Sequence, residues 1–433
     1  MFLKTVLADG QAEQVQIREM KARAAGARGD IEQTVRAIMD DVKARGWDAV
    51  CEYAKKFDKR EPYIIEPAQL DAAYAACSPA LIAALEKAAA NIRDYHEQML
   101  AKSWEWKRSE GETLGQTVRG LARVGLYVPG GTAAYPSSVL MNAVPAKVAG
   151  VGELIMVTPP TENLSNEVLA AAKIAGVDTV IAIGGVQAIA ALTYGAGFIP
   201  QVDKIVGPGN AFVAAAKKLA FGTVDIDMIA GPSEVLVIAD HTANPTWVAA
   251  DLLSQAEHDR LASAVLLTDS MAQAQAISCE MERQAKLLPR WEIIAESVAN
   301  YGCAIVFDDL ADACKMADVV APEHLEVVTA NPREWLPYLH NAGAIFLGQY
   351  APEPLGDYMA GPCHVLPTSG TARFFSPLST DTFLKKTSVI EYTRDALAGY
   401  AQDIIALAQS EHLDAHANSI AVRFAEEDEH EKG

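Results

Sequence analysis

The chain has 433 residues, 50% of them apolar and 21% charged, which is the composition of a globular protein and not of a disordered one. At roughly 100–200 residues per domain this length predicts two to four domains, with cores large enough to need no disulfide or metal staple. Lys and Arg number 36 against 56 Asp and Glu, a net charge of −20. That balance argues against a nucleic-acid or anionic-membrane binder, which needs a basic face. It leaves room for an anionic small ligand, because main-chain N–H groups hold phosphates without basic side chains.

Six cysteines, at 51, 77, 279, 303, 314 and 363, form no Cys-x-x-Cys pair. A secreted disulfide framework and a Cys-rich zinc module are therefore not expected. Such cysteines suit a reducing compartment, and the apolar run within residues 1–10 is too short for a signal peptide. The reading is a cytoplasmic protein. Residues 179–200 carry no charge and approach membrane-spanning length. They divide better into a β-branched strand at 179–183, a Gly184-Gly185 turn and an Ala-rich helix.

In chain order, the first third reads as helical. Asp30 is a candidate N-cap, Val35, Ile38, Met39 and Val42 follow at helix spacing, and Gly46 ends the run. A second helix spans about 79–99. From residue 122 strands and helices alternate: strands at 123–128, 154–157, 179–183 and 204–206, with helices near 142–149, 166–175, 186 onward and 211–220. This is the pattern of a parallel α/β sheet. A second series follows, with strands at 234–239, 264–268, 304–307, 325–328 and 344–346. The expected domains are a compact unit at 122–236 inserted into a larger one made of 25–121 and 237–375. Residues 376–433 are expected to be helical, ending in a frayed acidic tail at 426–433.

Five glycine-bearing turns follow predicted strands: Pro129-Gly-Gly131, Gly184-Gly185, Gly207-Pro-Gly209, Gly231-Pro-Ser233 and Gly356-Asp357. Turns of this kind at strand carboxyl ends are where α/β proteins bind ligands. No Gly-x-Gly-x-x-Gly is present, since Phe212 stands where the third glycine would be. Any dinucleotide site here is non-standard.

His96, His241, His340 and His430 stand in structural or surface contexts. Gln255 and His258 are three apart on one helix face, so they can share a metal or simply cap the helix end. Glu323-His324 follows a proline; in a turn both side chains can face one cleft and split acid and base roles, or the segment is a surface turn. Asp357 is a candidate ligand carboxylate, or the first residue of an Asx-turn. His412 and His416, at i,i+4, look like a two-His metal face or a solvated helix.

Together these motifs resemble the histidinol dehydrogenase family, in order and over essentially the whole chain. The resemblance rests on residues 123–131 (RVGLYVPGG), 135–141 (YPSSVLM), 206–210 (VGPGN), 230–234 (AGPSE), 251–258 (DLLSQAEH), 321–325 (APEHL) and 364–368 (HVLPT). It implies an α/β fold: two incomplete Rossmann-like parallel-sheet domains plus small helical terminal segments, in an intertwined homodimer. It places residues 1–24 against the C-terminal region and gives 376–433 to dimer exchange. It implies oxidation of L-histidinol to L-histidine through the aldehyde, with two NAD and one zinc per subunit. Zinc would be held by Gln255, His258, Asp357 and, from the other subunit, His416. Glu323 and His324 would be the catalytic pair. Ser233 and Glu411 would touch substrate, together with Gln255, His258, His324, Asp357 and His416. Tyr127, Gln187 and Asn210 would touch NAD. Two positions depart from the family pattern: His412 replaces a usual Gly, and Cys363 replaces a usual Asn before His364. A related zinc and NAD dehydrogenase for another alcohol, such as a sulfonated diol, is the main competing reading; the Glu411 carboxylate opposes it by repelling an anion. A non-catalytic dimer with structural zinc would leave Glu323-His324 without a purpose.

Overall fold

A computed structural model describes residues 2–25, 29–130, 135–160, 164–229 and 231–425. The motif residues Gly131 and Ala230 and the acidic tail at 426–433 lie outside the described residues. The chain divides into two units, Met1–Leu100 with Gly120–Phe383, and Ala101–Arg119 with Leu384–Gly433.

The first unit contains two six-stranded sheets. In the first, the strand order is Tyr63–Ile65, Thr179–Ala182, Glu153–Thr158, Arg123–Tyr127, Lys204–Val206, Asp225–Ile226. All are parallel except Tyr63–Ile65, which runs antiparallel to Thr179–Ala182. In the second, the order is Lys4–Leu7, Gly302–Val306, Ser263–Thr268, Glu234–Ala239, His324–Val328, Ala344–Leu347, all parallel. Numbered along the chain, the five consecutive parallel strands of each sheet run 3-2-1-4-5. Both are thus Rossmann-like sheets lacking the sixth regular strand, which is the expected fold class. Continuous apolar sequences explain them: strands such as Leu154–Val157 and Leu236–Ala239 are buried on both faces by helices.

Helix signals are mostly local. Ser78, Ser165, Asn210, Asn244 and Asp309 each accept a main-chain N–H as N-cap. The helix expected near 142 begins at Pro136, a proline at the first helical position. The uncharged stretch folds as strand Thr179–Ala182 and helix Gly185–Tyr194, and no single helix among the described residues is long and apolar enough to cross a membrane.

Several allocations differ from the sequence expectation. Helices Gly29–Arg45 and Trp47–Phe57 bury Val35, Ile38, Met39, Val42 and Val50 in the core of the first sheet, not the second. Strand Tyr63–Ile65 also joins that first sheet. The N-terminal segment is built into the second sheet. Strand Lys4–Leu7 covers the edge of Gly302–Val306, and Ile17 and Met20 enter the same core. The boundary at 236/237 falls inside strand Glu234–Ala239.

The second unit holds a three-stranded sheet in the order Leu384–Tyr392, Glu112–Gly120, Trp104–Ser109. Helices Arg394–Ala398, Ala401–Ser410 and Asp414–Ala421 follow. A purely helical C-terminal region is therefore corrected. The hairpin is stabilised by Arg108, which pairs with Glu112 at 2.6 Å and donates to Tyr392 at 3.1 Å.

At the carboxyl edge of the second sheet, Asp240 bridges the ends of two strands. Its Oδ2 accepts from Ala330 N at 2.8 Å, and its Oδ1 accepts from Thr242 N at 2.8 Å. This is the switch point of that sheet, where a ligand would enter.

Candidate active site

One cavity of about 520 Å³ opens between the carboxyl edge of the first sheet and the amino edge of the second. The first sheet contributes its switch-point turns, Pro129-Gly130 after strand Arg123–Tyr127 and Gly207–Asn210 after Lys204–Val206. The second contributes Ser233, Gln255, His258, Glu323, His324 and Asp357. Six residues expected on four separate motifs thus face one space.

Glu323 and His324, the expected catalytic pair, are held by one residue's main chain. Glu323 Oε2 accepts from Glu234 N at 2.9 Å, and His324 Nδ1 lies 3.1 Å from Glu234 O. Donation from Nδ1 to that carbonyl leaves Nε2 for the cavity side. Nε2 is buried and has no hydrogen-bond partner; the Oδ1 of Asp357 stands 3.7 Å away and Glu353 Oε1 3.9 Å. Burial disfavours charge on His324, but Glu323, Asp357 and Glu353 outweigh it and push the ring up to about 10. Burial pushes Glu323 up to about 7 against the pull of His324 and the Glu234 N–H. Asp357 is raised by burial, yet His324 and His364 hold it down at about 2.

Asp357 does not sit in a glycine turn, as expected, but inside helix Glu353–Tyr358. Gly356 is small for packing: a Cβ there would lie 2.6 Å from Phe346 Cε1, and Phe346 packs on the His324 ring at 6.0 Å between centroids.

Gln255 is 1% exposed, and both its side-chain polar atoms lack hydrogen-bond partners. Such a buried amide is expensive unless something outside the chain satisfies it. His258 follows the end of helix Pro245–Ala256, with its N–H bonded to Gln255 O. Its pKa is lowered, chiefly because surrounding protein desolvates the ring, although the residue remains open to the cavity. The donor set Gln255, His258 and Asp357 therefore fits a bound cation with N and O preference. His324, Glu353 and Asp357 also offer ligand atoms within 4.8 Å of one another. Asp357 belongs to both groups.

The expected cofactor residues divide. Asn210 lines the cavity, where its Oδ1 caps helix Ala211–Ala220 through Phe212 N and Val213 N. Tyr127 and Gln187 lie beside the Gly184-Gly185 turn and do not line the cavity wall. The Tyr127 hydroxyl accepts from Gly185 N at 3.2 Å, and Gln187 Nε2 donates to Asp58 at 3.0 Å. Gln187 Oε1 is buried without a partner, so it can receive a ligand donor.

Glu411 and His416 belong to the second unit, where both are exposed. His412 has φ +59° between helices Ala401–Ser410 and Asp414–Ala421, so the two histidines do not share a helix face. Cys363 is buried, donating to Met141 O at 3.2 Å and accepting from Val365 N. His364 lines the cavity with Nδ1 3.1 Å from Asp357 O.

A family model described as histidinol dehydrogenase matches residues 21–424. The chain belongs to the histidinol dehydrogenase family. It is 52% identical to the histidinol dehydrogenase of Clostridium acetobutylicum over 424 residues, covering 97% of this chain and 98% of that one. It is also 52% identical to that of Bacillus subtilis, over 90% and 92% of the two chains. The crystal structure of histidinol dehydrogenase from Elizabethkingia anophelis superposes with a TM-score of 0.93 at 35% identity, covering 99% of each chain. The protein is accordingly an oxidoreductase of this family.

Sequence reasoning missed the acidic layer behind the site. Glu353 is 2% and Glu326 1% exposed. Glu326 Oε1 accepts from Glu353 N at 2.7 Å, holding the start of the helix that carries Asp357. Glu326 alternates with His324 on strand His324–Val328, and that spacing was the available signal.

Two outcomes are expected. Gln255→Met, which replaces two unsatisfied polar atoms by a thioether, should stabilise the metal-free protein by ~1–3 kcal/mol in urea unfolding while abolishing metal uptake. Glu323 holds its proton more tightly when folded than the usual 4.5 allows, so its contribution to stability falls as pH rises from 4.5 to about 7. Glu323→Gln, neutral throughout, should gain stability over the parent across that window, by no more than ~3 kcal/mol above pH 7; equal pH profiles would contradict the buried acid.

Proposed function

We propose that the chain oxidises L-histidinol to L-histidine through the aldehyde, in histidine biosynthesis, passing one hydride to NAD in each of two steps. The observation that carries this reading is the unpartnered His324 Nε2 facing the same cavity as unpartnered Gln255, His258, Asp357 and the Asn210 turn.

Gln255, His258, Asp357 and the His416 of a second subunit would hold zinc, which would supply a Lewis acid for the polar groups of the substrate and draw charge off Asp357. With less negative charge beside it, the His324 ring gives up its proton more easily. His324 Nε2 then accepts the proton of the substrate hydroxyl while Nδ1 stays anchored on Glu234 O. Tyr127, Gln187 and Asn210 would hold NAD, which would supply the hydride acceptor. The aldehyde carbon must next take up water. Glu323, with a proton affinity near neutrality, can accept a proton from that water. The proton that His324 took up returns to the aldehyde oxygen as the hydrate forms, so the freed Nε2 accepts a second proton as the second hydride leaves. Ser233 contacts substrate, and the Glu411 carboxylate suits its cationic amine. Both oxidations occur at one carbon, so enclosure between the two sheets retains the aldehyde.

The homodimer belongs to the same reading, in which a second subunit provides His416 as the fourth zinc ligand. Family members at this level of identity bear the histidinol dehydrogenase name, which favours histidinol over a sulfonated diol.

Two NADH per L-histidinol should form, with activity lost on chelation and restored by zinc. His324→Ala should lower kcat by roughly 10²–10⁴-fold at unchanged zinc content. Turnover of another alcohol without turnover of histidinol would sink the assignment. Mixing inactive His416→Ala and His324→Ala chains should restore part of the activity; mixtures that stay as inactive as their components contradict a shared site.

A further inference from the structure

The wall of the cavity beside Asn210 includes a buried ion pair with no part in the chemistry above. Lys217 Nζ and Asp227 Oδ1 are 2.5 Å apart, with side chains 5% and 1% exposed. Each also grips Gly207. Lys217 Nζ donates to Gly207 O at 2.8 Å, and Asp227 Oδ2 accepts from Gly207 N at 2.8 Å. Both polar groups of a single glycine are therefore held by opposite ends of one ion pair.

That glycine cannot be replaced by a more rigid residue. Its φ is +106°, and a Cβ would lie 2.1 Å from Tyr127 O. The close approach lets strands Arg123–Tyr127 and Lys204–Val206 end side by side at the switch point. A glycine held in this region is floppy by itself, because it loses the most backbone freedom on ordering. The turn it begins carries Pro208, Gly209 and Asn210 into the cavity.

Asp227 has a second connection. It stands at the start of the crossover from the first sheet to the second, where Met228 lines the cavity and Gly231 N donates to Thr368 Oγ1 at 2.6 Å. A few residues later the crossover reaches Glu234, whose main chain holds Glu323 and His324.

We propose that Lys217 and Asp227 are positioning residues that clamp the Gly207 turn and register it against the crossover leading to the catalytic pair. The clamp sets where a dinucleotide bound at Asn210 stands relative to His324. This rests on the NAD reading above. A buried ion pair is poor at stabilising a fold, because desolvation of both charges offsets their attraction. An apolar pair of similar volume would serve stability equally well. Its presence here is explained by what it holds at Gly207.

The test uses the zinc-loaded full chain, comparing the parent with Asp227→Asn and with the double variant Lys217→Met/Asp227→Leu. The double variant removes both charges together but leaves the buried Gly207 N–H and carbonyl without partners, so it should fold and melt moderately below the parent temperature. NAD binding, read by calorimetry, should weaken by roughly tenfold or more in both. L-histidinol binding should stay within about twofold of the parent, since Gln255, His258 and Asp357 are untouched. Amide exchange at Gly207, read without cofactor, should accelerate by at least roughly tenfold. A double variant with parental NAD affinity and parental Gly207 exchange overturns the proposal, as does failure of both variants to fold. If the parent itself binds no NAD, the cofactor reading fails, and the Gly207 exchange rates still decide whether the clamp exists.

Discussion

The site depends on the main chain of Glu234. Its N–H fixes Glu323 and its carbonyl fixes the Nδ1 of His324, so the two side chains proposed as the acid–base pair are oriented from one point. Glu234 begins a central strand, and in the sheet register the next residue, Val235, pairs with His324. A sheet in which every neighbour is parallel and buried gives that point little freedom to move. The precision of an acid–base pair is thereby inherited from strand pairing rather than from a loop.

Around that point charge is concentrated and water is scarce. Glu323, Glu353, Asp357 and His324 are gathered in a space where each raises the stakes for the others. The cluster is a poor solution for a resting protein and a good one for handling protons. Gln255 adds an amide that the fold does not satisfy. Stability is given up where ligands are to be met, and the surrounding apolar sheets supply it elsewhere.

Much of this was legible in the sequence. Apart from the two-residue strand Asp225–Ile226, the strands from 123 to 347 are legible to within about two residues because β-branched runs alternate with capped, Ala-rich helices. Gln255, His258, Glu323, His324 and Asp357 were all picked out, and they line one cavity. Long-range allocation was not legible. Nothing local in Val35 or Ile38 says which sheet their helix covers, and nothing in Lys4–Leu7 says that it closes the edge at Gly302–Val306. The hairpin Trp104–Gly120 was missed because Trp104–Ser109 is exposed throughout and shows no buried alternation. Glu326 is marked only by its two-residue spacing from His324 on one strand, and Glu353 by nothing local, because charged side chains are ordinarily exposed.

The two sheets share one topology but use opposite edges. In the first, a glycine turn leaves the switch point open toward the cavity. In the second, the equivalent crevice is occupied by the protein's own Asp240, whose carboxylate takes the main-chain donors of Thr242 and Ala330. An internal anion thus stands where an external phosphate would be received. A fold can therefore be used twice in one chain without duplicating its binding site: the second copy is sealed from within, and its other rim is free to carry Glu323 and His324 into the shared cavity.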